Sequence, residues 1–296
     1  MAREYPETIQ EFFELFPTDE ACQRYLVQVR WDGKFICPFC SCTESWNVRR
    51  TKNRCMHCRR DSSVTSNTLF EQTHIPLRLW FLALWNVVSQ KQGVSALGLS
   101  RTLGMKREKT VWDLLRKIRR AMVRPGRERL SGIVEVDEVL VGGKRRVFEG
   151  RSPQGKTLVL IAAEDRGARG IGRIRMQVIP NASTYSLHKA ISEMVEPGST
   201  VRTDGWNPYR GMERLGYEHV EVKRKPSIPG DDPTPLIHRI ASLLKRWLLG
   251  THQGGIKKTY LDSYLNEFVF RFNRRTSHSR GKLFYRLVQN MLEITR

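Results

Sequence analysis

The sequence predicts a modular chain of mixed α+β and α/β class, with a small cysteine-built module and a helical segment in front of a mixed-sheet domain. Three observations carry that expectation. All six cysteines fall between residues 22 and 58, apolar residues recur at helical spacing from Leu77 to Ala121, and β-branched alternation begins after residue 130. A chain of 296 residues has room for two or three compact units with real cores.

Composition narrows the partners. The 51 Lys and Arg against 30 Asp and Glu give a formal charge of +21, yet 40% of residues are hydrophobic. That mixture is too apolar for a disordered basic tail and too basic for an ordinary metabolic enzyme, so a polyanion is the expected partner. No stretch approaches the roughly 18 to 20 apolar residues of a membrane span. The opening MAREYPETIQEFFELFP is acidic and interrupted, unlike a cationic signal peptide, which places the chain in the cytosol. Cysteines confined to one short stretch cannot staple the long remainder, so local metal binding explains them better than disulfides.

Taken in order, residues 6 to 30 read as one amphipathic helical segment, with Ile9, Phe12, Phe13 and Leu15 early and Ala21, Tyr25 and Leu26 later. Then come Cys37-Pro-Phe-Cys40 and Cys55-Met-His-Cys58, fourteen residues apart, around an insert the size of a hairpin. Two residues between thiols let one tight turn present both sulfurs to a tetrahedral ion, and two such turns close the site without water. The pattern is that of a zinc ribbon, with Cys37, Cys40, Cys55 and Cys58 as structural Zn²⁺ ligands. Cys42 and His57 complete no second knuckle, and Cys22 reads as a core residue.

Leu77 to Ala121 holds three helices. The last two, separated by Leu103-Gly104-Met105, form a helix-turn-helix pattern whose second helix begins with Lys106, Arg107, Lys109 and Thr110, residues suited to phosphates and base edges. The segment VRPGRERLSG then breaks the helical period and marks a linker.

GIVEVDEVLV, residues 132 to 141, reads as a buried strand carrying Asp137 and Glu138, with a turn at Gly142-Gly143-Lys144. Strands at 157–163 and 174–179, a helix at 183–194, a strand at 199–203 ending on Asp204 and a fifth at 219–222 follow. In an RNase H-like sheet the first and fourth strands are neighbours, so Asp137 and Asp204 could share two divalent ions there. Alternation sends Glu138 to the opposite face and leaves Glu135 on the face of Asp137. From Ile237 runs a cationic helix on which His238 and Lys245, seven residues apart, share a side.

VEVDEVLVGGK, TDGWNPY, IHRIASLLKRWLLGTHQGG and YLNEFVFRFNRR together resemble the zinc-ribbon insertion-sequence transposases of the DDE superfamily, the ISXO-like transposase family, over almost the entire chain. The resemblance implies an RNase H-like nuclease core that cuts element ends and joins them to target DNA with Mg²⁺ or Mn²⁺. Asp137 matches the first acid of the family pattern and Asp204 the second. His238 falls where many relatives place glutamate, with Lys245 at the companion basic position. A histidine is a softer ligand than the carboxylate Mg²⁺ prefers, so that departure bears on the metal. Glu267, with Arg274 seven residues on, repeats the same two-turn spacing, and the third position stays open between His238 and Glu267.

The domain boundaries expected on this reading are a helical segment at 1–32, the zinc ribbon at 33–72, the helix-turn-helix at 73–125 and the catalytic domain at 131–296. Partners implied are double-stranded DNA, as terminal inverted repeats and target, and further copies of the chain in a synaptic dimer or higher oligomer, acting in the cytoplasm on nucleoid DNA. Two alternatives share parts of the pattern: a zinc-ribbon and helix-turn-helix regulator without catalysis, and an RNase H-like nuclease that does not join strands.

Overall fold

The computed structural model describes residues 5–49, 52–124, 126–142, 156–223, 231–253 and 256–294. In chain order the elements begin with α1 (Ile9–Leu15), α2 (Asp19–Trp31), β1 (Ser45–Arg49), β2 (Lys52–Cys55) and β3 (Asp61–Ser62). They continue with α3 (Leu77–Ser89), α4 (Ala96–Leu103), α5 (Glu108–Ala121), β4 (Ile133–Val141), β5 (Thr157–Asp165) and β6 (Ile171–Val178). Next are α6 (Thr184–Met194), β7 (Thr200–Thr203), β8 (Glu218–Glu221), α7 (Pro235–His252), α8 (Leu261–Asn273) and α9 (Arg280–Glu293). They group into two compact units, Met1–Pro125 with Ser277–Arg296, and Gly126–Thr276. Among the described residues no helix is long and apolar enough to cross a membrane.

In the first unit the helical segment expected over 6–30 forms two helices. Pro17 disfavours helical backbone at Phe16, and the Thr18 hydroxyl accepts from the Ala21 amide to start a new helix. The break turns Phe12 and Phe16 inward, both essentially buried, and leaves Ile9, Phe13 and Leu15 exposed. The ribbon strands form an antiparallel sheet in the order β1-β2-β3. Helices α4 and α5 meet through Gly104, whose φ of 65° closes α4 in the left-handed region where glycine is favoured.

The catalytic domain was expected to run to residue 296, but the second unit ends at Thr276 and α9 belongs to the first. The reason is an aromatic nucleus. Phe284 of α9 is fully buried and lies 5.5 to 6.3 Å, centroid to centroid, from Phe12, Phe16, Tyr25, Phe81 and Trp85. Asn290 of the same helix donates to the Ala121 carbonyl.

The second unit is a five-stranded sheet in the order β6-β5-β4-β7-β8. Strand β5 runs antiparallel to β4 and β6, while β4 pairs parallel with β7 and β7 with β8. This is RNase H-like topology. Helices cover both faces: Val139, Val141, Ile161 and Ile174 pack with Ile240, Leu244 and Tyr264 of α7 and α8, and Val134, Val136 and Leu160 pack with Leu187, Ile191 and Tyr209. Strand β4 therefore faces apolar layers on both sides, with Val134 and Val136 in one and Val139 and Val141 in the other, and its acids are set among them.

Phe284→Ala should remove about 3 to 5 kcal/mol from the first unit, the usual cost of truncating a buried phenylalanine. Calorimetry should show one transition moving sharply down and the transition of the sheet domain holding; a shift of the sheet domain instead would return α9 to it.

Candidate active site and metal centres

The ribbon comes first because its ligands are local. Cys37 and Cys58 sulfurs are 3.6 Å apart, Cys40 and Cys55 sulfurs 3.5 Å, and all four lie within 4.8 Å of one another. Four sulfurs about 2.3 Å from a tetrahedral Zn²⁺ would be separated by about 3.8 Å, so the donor set fits that ion. Burial raises the Cys55 thiol, but the Cys58 and His57 amides and the neighbouring thiols more than offset it, and it falls to about 6. Cys42 and His57 stay outside the group, and Cys22 is fully buried, its thiol pushed up to about 12 chiefly by that burial.

The second candidate site begins with register. In the parallel β4–β7 ladder Glu135 pairs with Arg202. Two residues further along each chain come Asp137 and Asp204, on one face by the two-residue alternation. Asp137 is largely buried, its Oδ1 taking the Glu138 amide and its Oδ2 taking the Thr234 hydroxyl at 2.6 Å. Asp204 is exposed and accepts from the Trp206 amide, which fixes the turn after β7. Burial, and after it the charge of Asp204, pushes the Asp137 carboxyl up against the pull of the Thr234 hydroxyl and His238. Carboxylates that are costly to ionise together make a site short of positive charge.

Helix α7 brings the third group. Its first-turn amides have no partner within the helix. The Ile237 amide instead donates to the Glu135 carboxylate at 3.0 Å, so a buried side chain of β4 caps a helix from another layer. The same turn carries Thr234, already bonded to Asp137, and His238. The His238 Nδ1 donates to Asp232 at 2.8 Å, which leaves Nε2 facing Asp137 Oδ2 at 3.7 Å. Glu135 is itself pushed up by burial, although the α7 amides oppose that shift.

The structure separates the two candidates for the third position. His238 stands 54% exposed beside Asp137. Glu267 is 1% exposed on α8, paired with Arg271 at 2.7 Å, and α8 packs on β6, two strands away from β4. Arg274 stacks on Phe270 at 4.1 Å rather than flanking an active site. The two-turn spacing of Glu267 and Arg274 thus lies on a helix packed against the edge strand β6. Lys245 is exposed on the same side of α7 as His238.

Glu138 lies on the far face, where the Tyr209 hydroxyl bonds its carboxylate. Burial raises that carboxyl despite the hydroxyl, and Asp137 and Asp204 add to the shift. Asp232, Thr234 and Glu135 as a cap were not expected as site components. Their sequence signal is the run Asp231-Asp232-Pro233-Thr234-Pro235, an acidic and proline-bounded helix start. Among the described residues the cysteine set is the only group of three or more such ligands whose atoms all lie within 4.8 Å of one another, and His238 Nε2 approaches Asp137 Oδ2 to 3.7 Å. In the helix-turn-helix, Lys106, Arg107 and Lys109 are exposed at the start of α5 and Thr110 is half-buried. Of the expected turn at 142–144, Gly143 and Lys144 lie outside the described residues.

Residues 129–273 match the model of the ISXO2-like transposase domain, and residues 17–61 that of the transposase zinc-ribbon domain. An uncharacterized protein in the transposable element ISH50 of Halobacterium salinarum is 26% identical over 278 residues, 86% of this chain and 91% of that protein. A solved chain of the simian T-cell lymphotropic virus intasome in complex with PP2A regulatory subunit B56 gamma is 15% identical. Its TM-score is 0.32, over 63% of this chain and 66% of that one.

Asp137→Asn keeps the side-chain shape and an acceptor for Thr234 while removing a charge. A carboxyl raised in the folded state contributes stability below its ordinary pKa, and that contribution is lost as pH rises through the folded value. Near pH 7 without divalent metal, the variant should therefore melt a few degrees above the parent chain, and the gap should close towards about pH 4. Calorimetry across that range is the check, and a variant that melts lower near neutrality would show that burial does not penalise this carboxylate.

Proposed function

We infer, for a chain that belongs to the ISXO2-like transposase family, that Asp137, Asp204 and His238 hold the divalent ions with which this transposase cuts element ends and joins them to target DNA. The observation that carries the reading is the meeting of Asp137 with the Asp232–His238 pair at the start of α7. On this reading the catalytic set is Asp-Asp-His, and Glu267 keeps its ion pair with Arg271.

Mg²⁺ or Mn²⁺ bound there would lower the pKa of an attacking water or 3′-hydroxyl and offset charge on the leaving oxygen. The protein's part is to position. Asp137 and Asp204 offer carboxylates from neighbouring strands. Asp232 holds the proton on His238 Nδ1, so Nε2 presents its lone pair, the arrangement by which an outer carboxylate orients a histidine ligand. An imidazole in the set shifts preference from Mg²⁺ towards Mn²⁺. Thr234 steadies the Asp137 oxygen nearest His238. Lys245 offers an ammonium to DNA phosphate two turns along the same helix.

Recognition belongs to the front of the chain, where Lys106, Arg107, Lys109 and Thr110 contact the terminal inverted repeats as duplex DNA. The zinc ribbon is closed by four thiolates and is structural. Joining two ends calls for a synaptic dimer or higher oligomer, working in the cytoplasm on nucleoid DNA. A regulator without catalysis would have no use for carboxyls held on one face at a cost in burial.

Asp137→Ala and Asp204→Ala should each abolish both cleavage and joining of labelled element ends while leaving repeat binding intact. His238→Ala should follow them, Asp232→Asn should lose about ten- to a hundredfold in activity or metal affinity, and Glu267→Ala should act only through stability. A strand-transfer assay with Mg²⁺ and Mn²⁺ reads all of these; cleavage without joining would leave a nuclease, and normal turnover by either aspartate variant would overturn the assignment.

A further inference from the structure

The exposed face of the zinc ribbon has a composition that neither metal binding nor duplex recognition requires. Across β1 and β2 Trp46 pairs with Arg54, and across β2 and β3 Arg54 pairs with Asp61. Those residues share one side of the small sheet. The other side carries the row Asn47, Asn53 and Ser62, with Ser62 buried. On the outer side Trp46 is 37% exposed, and the Arg59 guanidinium lies 5.1 Å from its ring centre. Phe39, in the first knuckle and 42% exposed, has Arg60 over its ring at 5.1 Å. Val48 and Met56 are exposed as well.

We propose that the zinc ribbon binds unpaired DNA by stacking bases on its two exposed aromatic–arginine pairs, Trp46–Arg59 and Phe39–Arg60. Charge selects the occupant. Between Gly33 and Ser62 the sequence has seven Lys and Arg against two acids, Glu44 and Asp61, so a polyanion suits the surface and an acid-poor apolar protein face does not. The aromatic rings select the form of the polyanion. Bases in a duplex are covered by their neighbours, and phosphates need cations alone, so a duplex would leave both rings against water. An unpaired strand offers a π-face from every base. A guanidinium near a ring also brings N–H groups for phosphate to the place where a base would stack. This site is distinct from the helix-turn-helix and does not depend on the acid-site assignment.

The test uses the full, zinc-loaded chain and fluorescence anisotropy with labelled oligothymidylate and with a duplex of equal length. Trp46→Leu combined with Phe39→Leu should weaken oligothymidylate binding at least about tenfold, the loss expected for one or two stacked bases. Duplex binding should stay within about twofold, since the cations and the helix-turn-helix remain. Zinc content is measured in each variant. If the double variant sheds zinc, the pair Trp46→Tyr and Trp46→Leu decides: tyrosine keeps a π-face and should keep strand binding, leucine should not. Unchanged oligothymidylate affinity in zinc-retaining variants, equal loss for both DNAs, or equal behaviour of the tyrosine and leucine variants would overturn the proposal.

Discussion

The hydrogen bond from the Ile237 amide to the buried Glu135 carboxylate joins the two layers on which the candidate active site is built. Helix starts leave amides unsatisfied and carry partial positive charge, and a carboxylate answers both needs at once. Pro235 at the start of α7 fits because its missing N–H would have been one of those unsatisfied groups. The bond also sets distances. Asp137 is the next residue on the same face of β4, and His238 is the next residue along α7, so fixing Glu135 to Ile237 brings the two together. Losing the cap would free the helix start and the imidazole with it.

Alternation in β4 then divides the acids by role. Glu135 and Asp137 face α7, whereas Glu138 faces the opposite layer and satisfies Tyr209. The three carboxyls are all raised by burial, so the metal-free sheet carries a burden that an apolar strand would not. The contrast is Glu164 on β5: burial raises it, but Arg173 and Arg166 bond it and bring it below the ordinary range. Glu164 is answered by two cations, whereas Asp137 has a second acid, Asp204, beside it.

Much of this was legible in the sequence because the signals are local. The two CxxC knuckles, the strand around Asp137, the strand ending on Asp204 and the His238 helix all follow from spacing and period. The elements that were misread depend on tertiary packing. Proline at 17 splits the first helical segment, yet which of its apolar residues turn inward depends on α9, whose Leu283, Phe284, Leu287 and Val288 recur at helical spacing far along the chain. A two-turn spacing such as that of Glu267 and Arg274 says nothing about which face of the helix is buried. Asp232 and the cap by Glu135 needed the strand and helix to be brought together, which no window of sequence contains.

The nitrogen of His238 is the point on which the catalytic reading turns. Pulsed electron paramagnetic resonance of Mn²⁺ bound to the full chain detects nitrogen nuclei coupled to the metal. The expected spectrum shows coupling to an imidazole nitrogen that disappears in His238→Ala and persists in Glu267→Ala. Bound Mn²⁺ without nitrogen coupling, or coupling that survives His238→Ala, would contradict a site made of Asp137, Asp204 and His238.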